Sequence, residues 1–397
     1  VPSLEAWSVE RKSDLWEARN KRNSHALELS LRHEKQVMKD RWCLWAIPLV
    51  LNLGGLVMIA SLLSRSNPAD GATFYWLVLR QLQFLCLGLA LMYICCLMPL
   101  SQLRRLGGLL WFVAVVMTFL TLFPSLGVRA GGARRWLNVL GFQFQPLELL
   151  TLSIPIFLAD RLAVCKRENL ECFLRPTLLV VAISTAPLFL QPSMGGIVLV
   201  TAICVSMHVV NRGWKYPLLG SVFLIGLFIV LIYSADYRMR RFSAFMDPWD
   251  DPMGRGFQII QGLIAFSNGG IMGVGVGKGL QRMSYLPAAH TDFIFPAIGE
   301  EFGLVGTLFI VLLYAFWTFK AYTLYRRSND PFISALIWGI TASVLFPMFI
   351  NLGGVMKLIP LTGIPLPFIS FGGTALVCMW IRVGILMRIA KELDDRQ

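Results

Sequence analysis

Apolar residues gather in long runs parted by short polar stretches. Ten runs read as bilayer-crossing helices: Trp42 to Leu63, Phe74 to Leu97, Leu106 to Phe123, Pro146 to Ala163, Pro176 to Leu190, Gly195 to Val210, Tyr216 to Tyr233, Phe293 to Tyr325, Phe332 to Leu352 and Pro367 to Ile389. Crossing the hydrocarbon core takes about twenty apolar residues in a helix. Only Gln191 to Met194 separates the short fifth and sixth runs, and Pro187 and Pro192 break what would otherwise be one helix. The eighth run exceeds the membrane thickness and is expected to protrude at its inner end. The pattern predicts an all-α polytopic membrane protein of about ten transmembrane helices, with a large outer loop, 234–292, between helices 7 and 8.

Composition agrees. Of 397 residues, 56% are hydrophobic and 15% charged, where a soluble domain carries roughly a quarter charged. Lys and Arg fall on alternate loops: Arg104 and Arg105; Arg161, Lys166, Arg167 and Arg175; Arg212 and Lys215; Lys320, Arg326 and Arg327. Arg388, Lys391 and Arg396 of the tail share that side. Basic loops stay cytoplasmic, so both termini are expected there, which requires an even number of spans. The net charge of +13 then reports inner loops, not nucleic-acid binding. Residues 1–41 read as a cytoplasmic segment, either an amphipathic helix or a flexible tail, ahead of a membrane domain over 42–397.

The eight cysteines show neither CxxC nor zinc-ligand spacing and read as small apolar packing residues. His25, His33, His208 and His290 do not cluster, which argues against zinc. The N-terminal stretch lacks the apolar core of a signal peptide. No pair of matching broken helices suggests a transporter repeat.

Two outer loops defy the charge rule. One carries Arg129, Arg134 and Arg135; the other carries Arg238, Arg240, Arg241, Arg255, Lys278 and Arg282. Each arginine alone is explained by snorkelling to lipid phosphates, whereas the two clusters together point to an anion site.

Six constellations are candidates for chemistry. His290-Thr291-Asp292 leads into the eighth span, where Asp292 reads as a helix N-cap, as a partly desolvated carboxylate base, or as both. Asp247, Asp250 and Asp251, bounded by prolines, read as a turn with solvated acids rather than a cation site. Gly269 to Gly279 superficially resembles a phosphate loop, but Gly279 stands where Ser or Thr is needed, so flexible backbone beside a groove is expected. Glu300 and Glu301 lie about two turns into the eighth span, turned away from Asp292 if the helix is regular; at least one is expected to pair with an arginine inside the bundle. Glu148 opens the fourth span, either pairing with an outer arginine or facing the helix dipole. Leu361 to Thr374 reads as an irregular segment lining a cavity, or as a kinked helix start.

Taken together, the motifs GARRW (Gly132 to Trp136), FQPxEL (Phe144 to Leu149), DPWxDPxGxGxQ (Asp247 to Gln258), LPxxHTDFIF (Leu286 to Phe295), IGEExGxxG (Ile298 to Gly306) and TGIPLPFISFGG (Thr362 to Gly373) resemble the SEDS family (shape, elongation, division and sporulation), which includes FtsW, RodA and SpoVE. They run in family order from about Gly131 to the end, with wording closest to the FtsW and SpoVE branch. The resemblance implies a peptidoglycan glycosyltransferase that polymerises lipid II, the undecaprenyl-diphosphate-linked disaccharide peptide. It would work at the outer face of the bacterial cytoplasmic membrane with a class B penicillin-binding protein and other division or elongation proteins. The family's essential aspartate falls on Asp292, and its arginine before tryptophan on Arg135.

Such a donor already carries a good leaving group, so one base suffices and inversion is expected. The diphosphate needs cations, from Arg134, Arg135 or Lys278 or from a divalent metal such as Mg or Mn; no other cofactor is implied. Glu148, His290, Thr291 and Ser370 complete the expected substrate-binding set. Two positions depart from the family pattern: Thr151 replaces a lysine and Ser193 an aspartate. Their joint loss is expected to keep the region neutral. Two other readings of the chain are a lipid II flippase and a catalytically impaired scaffold for a transpeptidase.

Overall fold

Nine of the ten predicted spans are helices in the computed structural model, which describes residues 41–62, 71–130, 133–139, 141–164, 170–212, 236–254, 256–280 and 290–396. They are α1 (Arg41–Leu62), α2 (Gly71–Leu97), α3 (Leu100–Leu120), α4 (Pro146–Val164), α5 (Leu170–Leu190), α6 (Met194–Arg212), α9 (Ile294–Arg327), α10 (Pro331–Val355) and α11 (Gly373–Asp395). Between α6 and α9 lie α7 (Asp236–Met246) and α8 (Phe257–Gly269). The predicted span over 216–233, the segment 1–40, Arg255, Arg282 and residues 281–289 lie outside the described residues.

Six of these helices, those containing Arg41–Leu62, Trp76–Leu97, Leu100–Leu120, Ile294–Arg327, Pro331–Val355 and Gly373–Asp395, are long and apolar enough to cross a membrane. They leave Leu79, Phe112, Leu312 and Phe319 more than half exposed, as side chains facing lipid would be. The protein is therefore a multi-pass membrane protein. α10 is the most enclosed of the six, and packs against α4, α6 and α9; α11 lies mainly along α2. Helices overrun the apolar runs where a charge finds a partner: α3 starts at Leu100, and its Arg104 meets Asp160 at the far end of α4, 2.5 Å away.

The segment before α4 is not helical. It forms a three-stranded antiparallel sheet of β1 (Gly127–Ala130), β2 (Ala133–Val139) and β3 (Phe142–Phe144). The β2–β3 turn is closed by Gly141 at φ 84°, whose N–H donates to Asn138 Oδ1 at 3.1 Å. Between β1 and β2, Val128 faces Trp136 while Arg129 faces Arg134, so Arg135 is the extra residue of a bulge. Bulges re-aim a side chain out of strand alternation.

α9 is broken at Gly303, whose φ of 64° and ψ of −162° are open to glycine and strained for other residues. A break inside a membrane leaves backbone groups that must find partners. The Gly269–Gly279 loop supplies them. Val274 and Gly275 N–H donate to the Glu300 and Glu301 carbonyls at 3.0 Å each, and Leu304 and Val305 N–H donate to the Gly270 and Ile271 carbonyls at 2.9 and 3.2 Å. The expectation of a flexible border is therefore corrected: this loop is stitched into α9. A Cβ on Gly273 or Gly303 would strike that facing backbone.

Both glutamates precede that break, on the regular part of α9. Glu300 accepts from Asn268 Nδ2 at 3.2 Å and from the Leu280 N–H at 3.1 Å. Glu301 accepts from the Ser61 hydroxyl at 2.7 Å, its partner among the described residues, in place of an arginine. The Asp247 region is a turn, as expected: Asp247 caps a short 3-10 turn, Pro248–Asp250, by accepting from Trp249 N–H at 3.0 Å.

Candidate active site

Asp292 ends a turn just ahead of α9. It does not cap that helix: the N-cap position is Phe293, with no side-chain cap bond. The cap reading is thereby corrected, because the turn places the carboxylate elsewhere. Its Oδ1 accepts from the Thr291 hydroxyl at 3.0 Å, and its Oδ2 would lie 3.6 Å from a Cβ at Gly363, so it leans over the Leu361–Thr374 segment. Gly363 has φ 72°, a left-handed conformation that glycine adopts readily. Asp292 is half-buried, the partly desolvated setting expected of a base.

The segment beneath it is irregular from Leu358 to Gly372, as the second of the two sequence readings would not have it. Buried carbonyls without secondary structure are costly, and side chains from four helices answer them. Asn52 Nδ2 of α1 donates to Phe368 O at 2.7 Å; Tyr314 of α9 donates its hydroxyl to Pro367 O; Asn351 of α10 donates to Ile364 O at 2.8 Å; Gln81 of α2 reaches Ser370 O at 3.5 Å. Asn351 also donates to the main-chain carbonyl of Asp292 at 2.8 Å. Ser370 is buried, and its hydroxyl accepts from Leu366 N–H at 2.8 Å, which makes it a brace of the segment.

His290 belongs to the same junction. Its carbonyl accepts from Phe371 N–H at 2.8 Å, and its ring meets Phe371 edge-on at 5.9 Å. Burial pushes the imidazole below its usual pKa, and the neighbouring Asp292 only partly offsets this.

The basic side arrives through the bulge. Arg135 Nη2 donates to Pro192 O at 3.3 Å, in the α5–α6 corner. That corner packs on the irregular segment, since a Cβ at Gly195 would touch Thr362 and Ile364. Arg135 is thus linked to Asp292 through three contacts: its own with Pro192, that of the corner with the segment, and that of the segment with Asp292. Arg134 is half-buried and sits across the strand pair from Arg129; like charges so placed repel unless an anion joins them. Lys278 is exposed on the stitched loop.

Glu148 is fully enclosed at the start of α4. Arg382 of α11 reaches its main-chain carbonyl at 3.5 Å. Sequence reading missed Arg382 and Asn351. A signal existed for each, a lone polar group in an apolar run. Among the described residues no three His, Cys, Asp or Glu side chains gather to hold a metal.

A family model described as cell cycle protein, covering FtsW, RodA and SpoVE, matches residues 41–395. The probable peptidoglycan glycosyltransferase FtsW of Hydrogenovibrio crunogenus is 32% identical over 365 residues, covering 90% of this chain and 92% of that protein. Stage V sporulation protein E of Bacillus subtilis is 34% identical over 352 residues, covering 86% and 95%. Among solved structures, a chain from a peptidoglycan synthase complex, solved for its structural coordination of polymerization and crosslinking, matches with a TM-score of 0.73 at 26% identity over 89% of this chain and 98% of that one. The rod shape determining protein RodA of Thermus thermophilus shares the fold, with a TM-score of 0.66 at 23% identity over 88% and 96%.

Proposed function

This chain belongs to the FtsW/RodA/SpoVE family of cell cycle proteins, and from that premise we propose that it is a peptidoglycan glycosyltransferase that polymerises lipid II into glycan strands. The observation that carries the reading is the junction of Asp292, a half-buried carboxylate, with a segment that Asn351 and the Arg135-bound corner hold in place. A carboxylate so placed serves as the base that takes the proton from the acceptor hydroxyl. The diphosphate leaves with its charge already stabilised, so a second acid is not needed and the anomeric centre inverts.

Arg135 answers the charge that grows on the leaving diphosphate, with Arg134 beside it and Lys278 on the exposed loop. Arginine suits the task because its planar fork pairs with two phosphate oxygens. A divalent cation, Mg or Mn, would add positive charge beside the substrate's phosphates, which would have to supply its ligands, since no three His, Cys, Asp or Glu side chains gather among the described residues. Thr291 steadies the Asp292 carboxylate, His290 anchors its turn, and Glu148 and Ser370 support the segment below.

We place the site at the outer face of the bacterial cytoplasmic membrane, with both termini on the cytoplasmic side. Contacts between segments support a common inner end: Arg41, Lys320, Arg327 and Asp394 border one small cavity, and Arg396 reaches Asp330 at 3.8 Å. A class B penicillin-binding protein is the proposed partner, in line with the peptidoglycan synthase complex whose chain matches this one.

The test is polymerisation of labelled lipid II by the purified protein, alone and with its partner. Glycan strands from the wild type and none from Asp292→Ala are expected. Lipid translocation in liposomes without polymerisation would replace this reading with a flippase, and inactivity in both assays with a scaffold.

A further inference from the structure

Arg382 is completely buried near the middle of α11, between Trp380 and Val383, which are also 0% exposed. A guanidinium at such depth in an apolar span is costly unless a carboxylate and hydrogen bonds compensate it. The structure shows the hydrogen bonds, and the residue whose main chain one of them reaches carries a carboxylate. Nη2 donates to the Thr151 hydroxyl at 2.8 Å and reaches the Glu148 carbonyl at 3.5 Å. Glu148, which bears that carboxylate and whose carbonyl Arg382 reaches, is itself only 6% exposed.

Thr151 lies one turn beyond Glu148 on the same face of α4. It is also where the family resemblance leads one to expect a lysine. A lysine there would set an ammonium beside Glu148 from within α4. Arg382 brings a positive charge to the same place from across the bundle, and the threonine hydroxyl left in the gap becomes its acceptor. The earlier expectation, that the joint loss of this lysine and of the aspartate replaced by Ser193 keeps the region neutral, leaves out this cation.

We propose that Arg382 is a positioning residue that takes over, from the last span, the counter-charge role for Glu148 that a lysine at 151 would have from α4. Glu148 borders a small cavity with Leu366, Phe368 and Ser370, part of the segment that Asn351 joins to Asp292. The pair thus fixes the start of α4, immediately after the arginine-bearing sheet, against the backbone under the base. Only this last link, from the pair to catalysis, rests on the polymerase reading; the exchange of charges does not.

The experiment compares Arg382→Ala, Thr151→Lys and the double variant Arg382→Ala/Thr151→Lys by thermal unfolding in detergent and by lipid II polymerisation. Arg382→Ala is expected to melt several degrees lower and to polymerise at least about ten-fold more slowly. Thr151→Lys alone, with two cations against one carboxylate, also melts lower. The double variant recovers most of the melting temperature and of the rate. If Arg382→Ala does not fold at all, folding of the double variant alone carries the proposal. A double variant no better than Arg382→Ala overturns it, as does either single variant matching the wild type in melting temperature. Unfolding needs no substrate, so a wild type that makes no glycan would sink the polymerase reading and leave this test readable.

Discussion

The side-chain amide of Asn351 joins the main chain of Asp292 to that of Ile364, donating to each carbonyl at 2.8 Å. One nitrogen with two N–H groups thereby fixes the turn that bears the base relative to the segment under it. Leucine at 351 keeps the volume and removes both donors, leaving two carbonyls unsatisfied at a cost of about 1–3 kcal/mol each. Asn351→Leu is expected to melt lower and to lose polymerisation rate with little change in KM for lipid II. Wild-type kinetics in this variant would show that the bridge does not position the base.

Asp292→Ala separates the base from the cap. Loss of an N-cap costs about 1 kcal/mol of stability, but this side chain is not the cap of α9. The variant should therefore melt like the wild type while polymerisation falls about 10²–10⁴-fold, the range a general base contributes. A lower melting temperature with residual activity near wild type would restore the cap reading.

Gly303 tests the stitched break in α9. Alanine there would need a strained φ and would push its Cβ into the facing Ile271 and Gly273 backbone. Gly303→Ala is expected to lose about 1–3 kcal/mol from backbone strain alone, and more from the collision. Thermal unfolding measures it; an unchanged melting temperature would mean that the break is not required.

His290 gives the junction a pH dependence. Burial lowers its folded pKa below the ordinary 6.5, so the unfolded chain binds a proton more readily than the folded one. By linkage, stability then rises with pH across this window. The contribution is fully present above about pH 6.5 and is lost as the pH falls below it. His290→Gln should flatten the acid side of a stability profile taken between pH 5 and 7. An equal slope in wild type and variant would assign the effect to another group.

Much of this architecture was written in the chain's polarity. Apolar runs located the spans because the bilayer demands them, and Asp292 stood out as a carboxylate at a span's mouth. The proline- and glycine-rich stretch after Leu361 announced irregular backbone. What stayed hidden depended on distant partners. Arg382 looks like one charge in an apolar run until α4 is laid beside it, with Thr151 231 positions away in sequence. Gly303 reads as an ordinary helical glycine, because its reason is a loop that replaces the lost hydrogen bonds. The sheet before α4 has strands of 4, 7 and 3 residues, too short for alternation to declare itself among arginines and glycines.

Arg135 is where the bulge becomes chemistry. As the extra residue of β2 it leaves strand alternation and donates to Pro192 O at 3.3 Å. The Pro192 corner touches Thr362 and Ile364, on either side of the glycine beneath the Asp292 carboxylate. A guanidinium is a planar fork of five N–H donors, suited to phosphate oxygens. Removing a donor that stabilises transition-state charge costs about 10²–10³ in rate, so Arg135→Ala is expected to lose that much in kcat/KM. Arg135→Lys keeps the charge but not the planar fork, and should recover only part of the loss. Moving the bulge tests the same point without touching charge: deleting one residue of β2 beside Arg135 would restore alternation and turn the side chain away, with a loss like that of Arg135→Ala. Full activity in Arg135→Ala would remove this arginine from the diphosphate site and leave the charge to Arg134 and Lys278.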